Sequence, residues 1–465
     1  GPGLDLVLAG DGNDFVVPGT DEGSEVFGGT GNDFILGNKN AERILGNEGD
    51  DWLETGTFDG APGDNFDEIF AHDGIDGNDV FLGDGGFDEF IGEGGDDIMV
   101  GSLGRGKMAG MSGFDWATYK DNGAGVVADL SIPIVFDESP VLPADASLDE
   151  YESMEGLSGT RFNDILKGSN EDAATMLPAA QGGTNGFLGS ALDAQGVALI
   201  DGLEDVIGGT SFATGDIILG GDGSDQIQGN GGDDIIDGDK WLNVRISVRA
   251  NSDGTGAEIF SATSMTQLMT QMFNGVYNPG QLVIVREILT ADGSDDVDTA
   301  VFTDDRANYD ITFNADGTVT VAHVGGTQAD GVDTLRNIEQ LQFADNLFVL
   351  GTPVINDLTP TEGQELTVNT AAIPLPGPFT YQWQSSANGT TWTNIGGATG
   401  ATFTPQDLPG TAFGAQAGLL LRVVVSGIAS GATGPVGVDW DATVASTLNG
   451  TAGDDIGDGS GAADV

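Results

Sequence analysis

The sequence predicts an all-β chain: stacked coils of a parallel β-roll, then a mostly β capping module with one short helix, then a C-terminal β-sandwich. Three observations predict it. A nine-residue Gly/Asp pattern recurs along the first half. An apolar residue returns at one fixed place in each repeat. Beyond about residue 350 the Gly-Asp turns vanish and short strand-like runs take their place.

Composition narrows the chemistry. The 465 residues carry 74 acidic side chains against 14 Lys plus Arg, a net charge of −60, and 77 glycines. There is no Cys, which excludes disulfides, zinc fingers, iron–sulfur clusters and thiol catalysis. Two His residues leave little room for His-based catalysis. So acidic a surface repels nucleic acid and anionic membranes, and no apolar run of ~18 residues exists to span a bilayer. An apolar share of 39% is too high for simple disorder. Some cation must offset the charge if the chain is to fold compactly. Gly1-Pro2 looks like a cleavage scar and the last residues stop inside a repeat, so the chain reads as a piece excised from a longer protein.

The first roll is read over 3–118. Its repeats are GGTGNDFIL (Gly28–Leu36), GNEGDDWLE (Gly46–Glu54), GIDGNDVFL (Gly74–Leu82), GDGGFDEFI (Gly83–Ile91), GEGGDDIMV (Gly92–Val100) and GMSGFDWAT (Gly110–Thr118). Each has Gly first, Gly fourth, Asp sixth and an apolar residue eighth. The candidate metal-binding residues are therefore Gly28, Gly31 and Asp33; Gly46, Gly49 and Asp51; Gly74, Gly77 and Asp79; Gly83, Gly86 and Asp88; Gly92, Gly95 and Asp97; and Gly110, Gly113 and Asp115. Asp14 joins them from AGDGNDFVV, where Ala replaces the first Gly.

Six residues make a turn, with glycines supplying conformations that a Cβ forbids, and three make a strand. The eighth side chain points inward: Val16, Ile35, Ile44, Leu53, Phe81, Phe90, Met99 and Met108. Two nonapeptides complete a coil, so turns 18 residues apart stack. That places Asp33 over Asp51, Asp79 over Asp97, Asp97 over Asp115, and Asp216 over Asp234. Stacked carboxylates repel unless a cation lies between them. Calcium suits, because it takes six to eight oxygens in flexible geometry, whereas magnesium demands a rigid octahedron. Manganese or lanthanide ions would also fit oxygen sites. A disordered Gly/Asp linker would not keep the eighth position in phase. Ser24, Glu42 and Gly106 replace the sixth Asp in degraded turns, where calcium should bind weakly or not at all and Arg105 and Lys107 could stand in for the cation.

Residues 119–200 read as an interruption and insertion. VVADLSIPIVF suits a strand pair, a first turn of a roll recurs at 155–167 with Asp164, and Asn170–Ala198 reads as an irregular loop. A second roll follows at 201–241, with Asp216, then Gly220, Gly223 and Asp225, then Gly229, Gly232 and Asp234. Residues 242–350 form the capping module that closes the roll's open end. Its strands are NVRISVR, QLVIVREIL, NYDITF, TVTVAHV and LQFADNLFVL, and its helix is SMTQLMTQMF, begun by Ser264 and packed by its methionines. Residues 353–446 carry TYQWQSS, TWTNIGG, ATFTPQDL and LLLRVVVS at sandwich spacing, with Trp383 as a core residue; they resemble a bacterial Ig-like module. Residues 447–465 begin a further repeat.

The nonapeptides resemble those of RTX proteins, hemolysin-type calcium-binding repeats of type I-secreted chains. The order GDKWLNVRISVR, NPGQLVIVREIL, DTAVF, NYDITF, DGVDTLRNIEQLQFAD and YQWQSS resembles the repeat-rich region of large bacterial animal-type haem peroxidases. The resemblance implies several Ca2+ ions as cofactors, export by a type I system, a secreted or cell-surface location on a Gram-negative bacterium, and other domains of the same longer chain as partners. It does not make this segment a peroxidase: His72 lies in a Gly/Asp turn and His323 in a strand read as exposed. HExxH and a phosphate-binding P-loop are both absent. The reading is therefore a calcium-folded structural and secretion region without catalysis of its own. Two alternatives stand beside it, an adhesin-type module gripping a surface glycan or protein, and an accessory part of a haem peroxidase.

Overall fold

Each nonapeptide returns its strand one coil further along, and the strands meet in register. Ile98 faces Val80 on one side and Trp116 on the other, all parallel. The computed structural model describes residues 5–18, 24–37, 43–55, 66–70, 77–83, 85, 87–92, 94–134, 148–177, 189–291, 296–314, 316–350, 354–361, 363–370, 379–406, 416–425, 428–429 and 433. Gly74, Gly86, His72, Glu42 and the repeat expected at 447–465 lie outside them.

Two parallel sheets build the first roll. One runs from Leu6–Asp11 through Glu25–Thr30, Arg43–Glu48, Phe66–Phe70, Phe87–Ile91 and Gly106–Ala109 to Glu150–Glu152. The other begins at Phe15–Val16 and Phe34–Leu36 and continues through Trp52–Glu54, Val80–Leu82, Ile98–Val100 and Trp116–Thr118. Eighth-position side chains from both sheets fill the space between them. Ile35, Ile44, Leu53, Phe81, Phe90, Met99 and Met108 are buried, Val16 half so, and the rings of Phe81 and Phe90 lie 5.6 Å apart.

The second sheet does not stop at Thr118. It runs on through Gly156–Ser158, Ile217–Leu219 and Ile235–Asp237 to Val332–Arg336, still parallel. A further parallel sheet accompanies it: Val127–Asp129, Ile165–Lys167, Gln226–Gln228, Thr299–Val301 and Gln340–Gln342. The second roll thus draws strands from the expected interruption and from the expected cap. VVADLSIPIVF supplies one strand there rather than a pair, within its described part.

The capping expectation is corrected in another way. Residues 240–290 form an antiparallel ribbon, with Lys240–Arg249 between Glu258–Ala262 and Leu282–Thr290. The ribbon covers the outer face of the large sheet rather than the end of the roll. The cause lies at positions seven and nine, which are apolar there: Phe34, Leu36, Trp52, Val80, Leu82, Ile98, Val100, Trp116, Ile217 and Leu219 share one core with Leu242, Val244, Ile246 and Val248. An outer face so apolar must be covered. Glu54, buried on that face, accepts from Trp52 Nε1 (2.7 Å), Ser264 Oγ (2.9 Å) and Met265 N–H (2.5 Å), which fixes the ribbon's helical segment; burial raises its pKa against the pull of these donors. That segment is a 3-10 turn, Met265–Gln267, started by Ser264, followed by the helix Met269–Phe273, and Met265 packs into the core.

The loop expected at 170–198 contains short helices, Ala173–Met176 and Ala194–Leu199. Asp172 and Asp193 cap them, each accepting two backbone N–H bonds. With Leu203–Ile207 they add Met176, Val197, Leu203 and Val206 to the same outer core.

Contacts divide the chain into two units, Gly1–Ile311 with Thr320–Leu347, and Thr312–Val319 with Phe348–Val465. The second contains two small antiparallel sheets. One holds Val354–Ile355, Leu366–Asn369 and Thr402–Phe403; the other holds Thr393–Asn394, Tyr381–Ser386, Leu420–Val425 and Ile428–Ala429. Trp383 is fully buried, stacks on Phe403 at 5.2 Å and donates Nε1–H to the Gly400 carbonyl at 3.0 Å.

Candidate metal centres

Stacking the turns lines up the sixth residues. The backbone N–H of Asp14 donates to Asp33 Oδ1 at 2.8 Å, Asp33 to Asp51 at 2.7 Å, Asp51 to Asp79 at 2.7 Å, Asp79 to Asp97 at 2.7 Å and Asp97 to Asp115 at 2.9 Å. Asp33, Asp51, Asp79, Asp97 and Asp115 are completely buried. The ladder continues where sequence reasoning did not follow it: Asp115 N–H donates to Glu155 Oε2 at 3.0 Å. Further along the same sheet Asp216 donates to Asp234 at 2.7 Å, and Asp234 to Asp333 at 3.1 Å. A separate ladder runs beside the other sheet of the second roll. There Asp164 donates to Asp225 (2.7 Å), Asp225 to Asp298 (2.8 Å) and Asp298 to Glu339 Oε2 (2.8 Å).

One oxygen of each rung is thus used by the protein. The other Oδ2 of Asp33, Asp51, Asp79, Asp97, Asp115, Asp225, Asp234 and Asp298, and Oε1 of Glu155, is buried without a hydrogen-bond partner. Leaving an ionised oxygen so placed is expensive. Burial accordingly pushes Asp33, Asp79 and Asp234 up to about 7, Asp225 to about 8 and Asp51 to about 10, while Asp97, Asp115, Glu155, Asp216 and Asp333 rise well above the carboxylate range; neighbouring rungs add to several of these.

The first glycines explain what these oxygens face. A Cβ on Gly28 would strike both Asp33 Oδ2 and the Gly46 carbonyl oxygen; on Gly92, both Asp97 Oδ2 and the Gly110 carbonyl. Gly46, Gly83, Gly110, Gly220 and Gly229 likewise lie against Oδ2 of Asp51, Asp88, Asp115, Asp225 and Asp234. The fourth glycines form a column of their own. Gly31, Gly49, Gly77, Gly95 and Gly113 each approach the carbonyl of the one before, starting from Gly12, and Gly95 and Gly113 have φ of 111° and 130°. Gly223 and Gly232 also have positive φ. Gly159, Gly168 and Gly238 make first-position contacts with Asp164, Asp216 and Asp298, and the nine-residue frame had missed them. Buried carboxylate oxygens facing carbonyl oxygens form a hard, all-oxygen donor set, which fits calcium.

The side of the first roll that carries Asp88 is different. Asp88 Oδ2 accepts from Ser102 Oγ at 3.3 Å. Gly106 follows at the sixth place with no carboxylate, and the next is Asp149, which Tyr119 Oη approaches at 2.5 Å and Gly106 N–H also reaches. Protein donors satisfy Asp149, as they do both oxygens of Asp164 and Asp216, whereas the rungs named above keep an open oxygen. The stand-in expected of Arg105 and Lys107 takes another form: Lys107 is buried and pairs with Glu89 at 3.7 Å. Arg286 from the ribbon brings a cation to the Asp79–Asp97 turns. It donates to the Asn78 carbonyl, with Asp50, Asp79, Asp96 and Asp97 nearby.

Four copies of a family model described as the RTX calcium-binding nonapeptide repeat match residues 18–53, 27–66, 73–108 and 211–240. The chain carries RTX repeats. RTX repeats bind multiple calcium ions, play a structural role and occur in secreted proteins of Gram-negative bacteria. A model described only as a domain of unknown function (DUF8696) matches residues 358–415. No curated protein matches the chain. Among the described residues no helix is long and apolar enough to cross a membrane. Asp164, Asp298, Asp333 and Glu339 all lie outside the matched RTX segments, yet they stand in the same ladders.

Proposed function

We propose that the sixth-position carboxylates of this chain, Glu155 among them, share calcium ions with the first-position glycine carbonyls, and that this calcium converts an extended acidic chain into the folded roll. The carrying observation is the row of buried, unpartnered Oδ2 atoms, of which those of Asp33, Asp51, Asp97, Asp115, Asp225, Asp234 and Asp298 lie beside a glycine that leaves room for nothing larger than hydrogen. Extracellular calcium modules bind with dissociation constants of ~0.1–1 mM. At tenfold excess each independent site adds about 1.4 kcal/mol by mass action. Several sites together then reach the ~5–15 kcal/mol of an ordinary domain. In a calcium-poor cytosol the chain stays unfolded, and it folds once outside. The roll serves a longer secreted protein as scaffold rather than as an enzyme.

The surroundings of His323 support the absence of haem chemistry. It is buried, not exposed as its sequence context suggested; its ring stacks on Tyr309 at 4.2 Å, and Nδ1 accepts from Asp330 N–H at 3.2 Å. Circular dichroism with and without chelator tests the folding claim, and a β signal unchanged in chelator overturns it. Haem and peroxide added to the calcium-bound chain test the second claim. A stoichiometric Soret band, or dye oxidation above that of free haem, contradicts it.

A further inference from the structure

The RTX match ends at residue 240, where the chain leaves the roll for the ribbon. Asp239 stands immediately before the ribbon's central strand, Lys240–Arg249. Asp296 and Asp298 follow its return strand, Leu282–Thr290. A carboxylate oxygen of each of the three lies within 4.8 Å of the other two. Acidic clusters are common on so acidic a chain, but this one has a second mark. Asp298 is completely buried, its Oδ1 accepts from Asp225 N–H, and its Oδ2 has no hydrogen-bond partner. A Cβ on Gly238 would strike that Oδ2 together with the Asn337 carbonyl oxygen. Gly28 stands in the same relation to Asp33 and the Gly46 carbonyl.

Asp237, Asp222 and Glu339 add further negative charge around Asp239. Asp296 accepts a long bond from Gly223 N–H at 3.4 Å. The donor set is hard oxygen throughout, which suits calcium rather than a transition metal.

We propose that Asp239, Asp296 and Asp298 hold a calcium ion at the neck of the ribbon, tying the residue before its central strand to the residues after its return strand. The choice of calcium rests on the reading of the roll as calcium-folded. The ribbon buries Leu242, Val244, Ile246 and Val248 on the outer face of the large sheet. An ion at its neck would therefore hold that cover in place as well as extend the ladder.

Calorimetric calcium titration of the whole chain tests this with three variants. Asp239→Asn and Asp296→Asn should each bind one ion fewer than the unaltered chain. They should also show faster amide exchange in 240–249 and 282–290, with the β signal kept. Asp33→Asn, in the first-roll ladder and away from Arg286, should lose calcium without loosening the ribbon. If Asp33→Asn loses calcium but Asp296→Asn keeps the full count, the neck site is wrong and the roll reading stands. If the unaltered chain binds no calcium, both fail. Should Asp239→Asn not fold, Asp296→Asn still decides, because its side chain is only half-buried. Terbium offers a second readout: Trp241, two residues from Asp239, should sensitise its emission, and Asp296→Asn should dim it. Undimmed emission would contradict the site.

Discussion

The roll and the C-terminal unit solve the same problem differently. The C-terminal unit buries Trp383, Phe403, Leu366, Leu421, Val423 and Val425 around neutral partners. The roll also has an apolar interior, but beside it stands a file of buried carboxylates whose second oxygens have no protein partner. One core is complete as the chain supplies it; the other needs a ligand to neutralise it. Sequence length and β content do not separate the two, but the chemistry of one position in nine does.

The largest expected effect uses protons in place of the ion. In the calcium-free chain burial raises Asp33, Asp79 and Asp234 from 3.8 to about 7. A carboxyl whose pKa is higher folded than unfolded takes up protons on folding. Its contribution is fully present below about 4 and is lost as pH rises through about 7. In chelator the roll should therefore regain β signal as pH falls from about 8 to 5, while the C-terminal unit stays level. With calcium present the direction reverses, because protons compete for the same oxygens and calcium affinity should fall over that range. Circular dichroism at fixed chelator or fixed calcium reads both, and a flat profile in chelator breaks the comparison.

Next in size is Asp97→Ala. On the proposed reading it removes a calcium oxygen, and it leaves the buried Asp79 N–H without its acceptor, which alone costs about 1–3 kcal/mol. Asp88→Ala, beside the degraded Gly106 rung, should lower the melting temperature less and release less calcium. Equal losses would show that the two sides of the roll do not differ as described.

These contrasts also show what the sequence made legible. The 18-residue stacking, the inward eighth position and the carboxylate ladder follow from the repeat, because an uninterrupted coil turns spatial stacking into sequence period. Where a coil carries an insertion the period disappears while the stacking survives. Asp115 reaches Glu155 across 40 residues, Asp225 reaches Asp298 across 73, and Asp234 reaches Asp333 across 99. A shorter signal persists at each. Two residues after Glu155, Asp298, Asp333 and Glu339 stand Leu157, Ala300, Leu335 and Leu341, all buried, as the eighth position requires. The ribbon's place was hidden for another reason. The repeat assigns positions seven and nine no role beyond their strand, yet their apolar side chains on one sheet demand a cover.

An effect of comparable size, but confined to the other unit and without consequence for calcium, comes from Trp383→Ala. Losing this buried ring and its bond to Gly400 should cost the C-terminal unit about 3–5 kcal/mol and leave the calcium count of the chain unchanged. A changed count, measured by calorimetry, would show that the C-terminal core contributes to calcium binding. Smallest of all is Asp454→Ala, in the further repeat that the sequence leads one to expect at 447–465, for which stability should stay within about 0.5 kcal/mol of the unaltered chain.

The central claim is that calcium, and not apolar burial alone, completes the roll. Amide hydrogen exchange read by mass spectrometry, with and without calcium, tests it most directly because one experiment covers both regions. Removing calcium should abolish protection in Ile98–Val100, Trp116–Thr118 and Ile235–Asp237 while Tyr381–Ser386 and Leu420–Val425 keep theirs. Protection that survives in the roll without calcium, or that falls equally in both regions, would contradict the account.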